Sequence, residues 1–122
     1  MYKNKKSEGA EQLSFNMAMD YTMKIALYLD QFETLWSNGQ LKPAMWRLKK
    51  VWHKLSPYLS KPEDDYIEKA FNSMQRMFIN GGNRGIINLN LERLARHISR
   101  KLKDRGLLIP LSDDTRFLFR RK

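Results

Sequence analysis

The sequence predicts an all-α domain of four helices, arranged around a long central N-terminal helix and closed by a small C-terminal β-hairpin. Two observations carry this reading. Apolar residues recur at helical spacing along one face of three stretches and cover nearly the whole of a fourth, the first, and the stretches are bounded by Gly, Asn or Pro signals. With 122 residues, of which 42% are hydrophobic and 11% aromatic, the chain is large enough for one core.

The first helix is expected from about Glu11 to Trp36, after a basic flexible start at residues 1–10, with residues 11–122 forming the single domain. Its apolar residues run from Leu13 to Trp36 and cover most of the circumference, leaving a narrow polar stripe of Asn16, Asp20, Lys24, Gln31 and Thr34. A helix apolar nearly all round is usually enclosed by others, hence the central position. Ser37-Asn38-Gly39 stops it.

The second helix is expected over about Lys42 to Leu55, with an extra turn to Leu59 as the alternative, Pro43 in its first turn and Pro57 bending or ending it near Ser56. Leu41, Ala44, Met45, Leu48, Val51, Trp52, Leu55 and Leu59 form its inward stripe. Trp46, Arg47, Lys49, Lys50, His53 and Lys54 fall outside it.

Ser60 and Glu63 match a capping box that opens the third helix, with Glu63, Asp64 and Asp65 at the positive end of its dipole. Ile67, Ala70, Phe71, Met74, Met77 and Phe78 point inward, and Asn80-Gly81-Gly82 ends it. A glycine-rich loop is then expected as far as Asn88, before a fourth helix from about Leu89 to Arg105. Leu91, Leu94, Ala95, Ile98 and Leu102 share one face of that helix, and Arg93, Arg96, Arg100 and Lys103 the opposite one. After Gly106, the runs Leu107–Leu111 and Arg116–Phe119 flank Ser-Asp-Asp-Thr as a hairpin.

Charge points toward a partner. The 23 basic residues outnumber 13 acidic ones, giving +10 at pH 7 and a pI near 10.0, a field that attracts polyanions. It is unevenly placed. Residues 41–61 hold six basic groups and no acid, and residues 84–122 hold eleven basic against four acidic groups. Nucleic acid is therefore the leading partner, ahead of an anionic membrane or an acidic protein surface.

The fourth helix is the main candidate contact. Arginines three and four apart stand in a row, so that successive guanidinium forks can meet successive phosphates; a solvated face is the plain alternative. Arg116, Arg120 and Arg121 extend the basic surface into the tail, and Lys49, Lys50 and Lys54 supply a second contact. Duplex DNA is slightly favoured by the arginine row. Trp46, flanked by cations, keeps single strands or RNA open because an aromatic ring can stack an unpaired base, although packing under a neighbouring element would also account for it. Arg84, in the glycine-rich loop, could touch a phosphate, but that loop lacks the Gly-Lys-Ser/Thr ending of a nucleotide-binding loop.

The order of basic helix, glycine, hairpin and basic tail resembles recognition helix and wing in winged helix-turn-helix domains. The expected connection Gly81–Asn88 departs from the short turn of that motif.

Catalysis is not expected. His53 and His97 stand on different helices without metal-ligand spacing, Glu63-Asp64-Asp65 is explained by helix capping, and no nucleophile has an evident base. No cofactor or metal is expected. The chain has no cysteine, which suits a cytoplasmic location, and the N-terminal MYKNKKSEGAEQL has no apolar stretch of a secretory signal. The longest apolar run, Ile25–Leu29, is far short of the roughly 20 residues that span a bilayer.

The function expected is therefore a small non-catalytic nucleic-acid-binding accessory or regulatory protein. The rival is a structural or protein-interaction subunit, an assembly component or an inhibitor of phage type, docking on an acidic surface. Met17, Met19, Met23, Met74 and Met77 could serve such a surface or fill the core, and self-association through the first helix remains open. Geometry discriminates: one continuous basic face over residues 47–54 and 93–103 favours nucleic acid, whereas diverging faces with an uncovered apolar patch on residues 13–36 favour assembly.

Overall fold

In a computed structural model of the chain, the described backbone spans residues 5–107 and the described side chains residues 21–107. Four α-helices follow in order: α1 (Lys5–Ser37), α2 (Leu41–Leu55), α3 (Lys61–Ile79) and α4 (Arg84–Asp104), with a single 3-10 turn, Ser56–Tyr58, after α2. There is no strand among the described residues. The expected hairpin lies outside them.

Helix ends follow local chemistry. α1 and α4 both finish in a Schellman motif. Gly39 (φ 79°) and Gly106 (φ 70°) adopt the left-handed conformation that a Cβ would disfavour. The amides of Gln40 and Leu107 then donate back to the carbonyls of Leu35 and Leu102 at 2.9 and 2.8 Å. α3 opens on the expected capping box, in which the Ser60 amide donates to Glu63 Oε1 at 2.9 Å and the Glu63 amide to Ser60 Oγ at 3.4 Å. Pro57 sits in the 3-10 turn that closes α2.

Two helix starts differ from the sequence expectation. α1 begins at Lys5 rather than near Glu11, because Lys5, Lys6, Glu8 and Ala10 all accept helix and Gly9 costs only about 1 kcal/mol. α4 begins at Arg84 rather than Leu89. Asn83 is its N-cap, its side chain accepting from the Ile86 amide at 3.1 Å, so the expected loop is largely helix.

A further correction concerns the middle of the fold. α1 is the longest helix, but α2 is the one that packs against each of the other three. Leu41, Ala44, Met45, Leu48, Val51, Trp52 and Leu55 of α2 are all buried. α1 packs chiefly on α2, burying Ile25, Leu29 and Phe32 while Met23 and Leu27 remain 64% and 52% exposed. A 15-residue helix cannot enclose a helix with apolar residues around its whole circumference.

Neighbouring helices run antiparallel. The Tyr21 hydroxyl of α1 donates to the carbonyl of Lys54 near the end of α2, and the turn 38–40 joins their other ends. Along α3 and α4, Glu63 meets Lys101 and Arg105, Tyr66 meets His97, and Ser73 and Met74 share a cleft with Asn90 and Leu94. With the short connection Asn80–Asn83, α3 and α4 form an αα-hairpin. Such pairing along the length differs from the crossing of roughly 90–120° in a helix-turn-helix.

Candidate nucleic-acid interface

α2 and α4 pack on each other with their buried stripes in one core. The cations of each helix lie away from its buried stripe, so the two basic faces turn away from the shared core on different sides of the bundle. Residues 47–54 and 93–103 do not make one continuous surface.

On α4, Arg93, Arg100 and Lys103 are exposed and form no ion pair among the described residues. Arg96 differs. Its guanidinium bonds Glu92 one turn earlier at 2.9 Å, which removes one fork from the row. Arg84 is also engaged: it donates to the Gly39 carbonyl at 2.5 Å, tying α4 to the α1–α2 turn beside the Trp36–Asn88 hydrogen bond. Arg116, Arg120 and Arg121 lie outside the described residues.

On α2 the cations meet aromatic rings. Lys49 Nζ lies 5.0 Å from the centroid of Trp46, Lys50 Nζ 5.9 Å from that of Tyr28, and Lys54 Nζ 5.0 Å from that of Tyr21. All are within cation–π range. Trp46 is 39% exposed and does not pack away beneath another helix. Tyr21, Tyr28, Lys50, His53, Lys54 and Pro57 line an open groove of about 400 Å³ between α1 and α2. Tyr58 meets the Tyr21 ring edge-on at 6.1 Å. Burial, and secondarily Tyr58, raise the Tyr21 hydroxyl above its ordinary 10.0, so it stays protonated as the donor to Lys54.

Lys50 and Lys54 of this groove, and Trp46 and Lys49 outside its lining, were expected from the sequence; Tyr21, Tyr28 and Tyr58 were missed. The available signal was spacing: Tyr21 and Tyr28 are seven residues apart, hence on one helix face, as Lys50 and Lys54 are at four.

A second polar cluster joins the ends of α3 and α4. Glu63 takes Lys101 Nζ at 2.6 Å and Arg105 at 3.0 Å, and Arg105 also donates to the Tyr58 carbonyl at 3.0 Å. These bonds, led by that from Lys101, hold the Glu63 carboxyl at about 2. His97, beside Tyr66, is pushed below 6.5 by burial and then by Lys101 and Arg100, with Glu63 opposing. The cluster fastens helices together.

Among the described residues no group of three or more His, Cys, Asp or Glu side chains could hold a metal ion, and no helix is long and apolar enough to cross a membrane. No family model, curated protein or solved structure matches the chain.

Proposed function

We propose that the protein is a non-catalytic nucleic-acid-binding accessory or regulatory protein. The observation that carries this reading is the exposed side of α2. Lys42, Lys49, Lys50 and Lys54 have no acidic neighbour anywhere in residues 41–61 and no ion pair among the described residues, and three of them stand over aromatic rings. Unneutralised ammonium groups beside rings offer both phosphate contacts and stacking surfaces. Arg93, Arg100 and Lys103 of α4 supply further phosphate contacts on a different side.

The test is a fluorescence-anisotropy titration against duplex DNA, single-stranded DNA and RNA at about 50 and 200 mM salt, because counterion release makes phosphate contacts salt-dependent. Steep salt dependence is expected, and Arg93→Ala with Arg100→Ala should lower the slope by roughly 1 per lost contact. Weak binding, equal for all three and gone at the higher salt, would mean that the charge is a solvated surface.

Exposed Met23 and Leu27, one turn apart on α1, and the divergence of the two basic faces favour a second reading, an assembly or inhibitor subunit. A stable complex or oligomer that forms without nucleic acid and is lost in Met23→Lys with Leu27→Lys would select it.

A further inference from the structure

We propose that the α1–α2 groove, together with the exposed Trp46–Lys49 pair of α2 outside its lining, binds an unpaired strand, stacking bases on Tyr28, Tyr21 and Trp46 while Lys49, Lys50 and Lys54 hold the phosphates. This rests on the nucleic-acid reading and narrows it to one class of ligand and one face.

Trp46, Lys50, His53 and Pro57 follow at spacings of four, three and four along the exposed side of α2 and the turn after it, which places them in one row. Tyr21 and Tyr28 stand beside that row on α1, with Lys54 and Lys50 over their rings. Rings and ammonium groups thus stand side by side from Trp46 to Lys54. Tyr21 is held by its hydrogen bond to the Lys54 carbonyl and by Tyr58, so part of the stacking surface is fixed in advance.

A duplex cannot use such a surface, because its bases present their faces only to each other. An unpaired strand can, since every base has a π-face and stacking on a protein ring tolerates any sequence. Seven residues of helix place Tyr21 and Tyr28 about 10 Å apart, so the two rings take different bases of one strand. In the free protein each ammonium covers a ring. An exposed ammonium–ring contact is weaker than a base stacked on the same ring, and the flexible lysine stem lets the ammonium swing to the neighbouring phosphate as the base arrives. α4 provides no equivalent: Arg93, Arg100 and Lys103 have no ring contact among the described residues.

The experiment titrates the full chain with fluorescent single-stranded DNA and RNA of mixed sequence and with a duplex of equal length. Tyr28→Leu, which keeps apolar bulk and removes the π-face, is compared with wild type, and Trp46→Leu serves as a second variant at a more exposed position. Single strands should bind more tightly than the duplex, and each substitution should weaken single-strand binding on the order of 5- to 100-fold with duplex binding unchanged. The DNA and RNA arms show whether the 2′-hydroxyl contributes. Equal or tighter duplex binding, insensitive to both substitutions, would overturn the groove while leaving nucleic-acid binding in place. No salt-dependent binding to any of the three would overturn both.

Discussion

Glu63 at the start of α3 and Arg105 just beyond α4 meet at 3.0 Å, although 42 residues separate them in sequence. The same carboxylate caps its own helix through Ser60 and accepts from Lys101. One side chain therefore terminates a helix and fastens it to its neighbour.

Acid should undo that fastening. The folded-state value of about 2 lies below the ordinary 4.5, so the stabilisation is complete above pH 4.5 and is lost as pH falls toward 2. Thermal melts across this window should show a falling midpoint in wild type and a flatter profile in Glu63→Gln, which should also melt lower at pH 7.

His97 acts at higher pH with the same sign. Its folded-state value is depressed below 6.5, so the unfolded chain takes up the proton first, and stability declines as pH drops through 6.5 until the folded-state value is reached. An NMR titration should place the His97 midpoint below 6.5, and His97→Gln should flatten the upper part of the stability profile.

Asp64 Oδ1 accepts from Trp52 Nε1 at 2.8 Å and from Ser56 Oγ at 2.7 Å, linking α3 to α2 and its 3-10 turn. Asp64→Ala leaves the indole N–H of a largely buried Trp52 without its acceptor, for an expected loss of about 1–3 kcal/mol. In a double-mutant cycle with Trp52→Phe by urea denaturation, the two losses should be less than additive.

The central place of α2 predicts a contrast between two leucines. Leu48, fully buried, should lose about 2–5 kcal/mol on replacement by Ala. Leu27 of α1, 52% exposed, should change by no more than about 0.5 kcal/mol. Comparable losses at both positions would mean that α1 is enclosed after all.

The legible parts of the fold were those whose partners are close in sequence. Ser60 and Glu63 lie within one turn, and the α2 stripe declares itself by periodicity, so both appeared in the sequence as they do in the structure. Asn83 did not, because an Asn in a glycine-rich stretch has the same signature in a loop as at an N-cap. The position of α1 was misread because circumferential apolarity does not distinguish a helix that is enclosed from one that is longer than its partner. Of the candidate interface, α2's cations and Trp46 were legible as residues outside its stripe. Tyr21 and Tyr28 were not, since a ring lining a groove and a ring in a core look alike until the neighbouring helix is in place. The engagement of Arg96 by Glu92 was within reach, the two being one turn apart, whereas that of Arg84 by Gly39 depends on how distant turns meet.

The diverging basic faces of α2 and α4 have a geometric consequence. A single bound strand or groove lies against one side of the bundle and leaves the other side's charge outward. On the proposed reading, such faces would join two polyanions rather than clamp one, and with protein scarce relative to its ligand each copy would have a second side on which to gather another length of it.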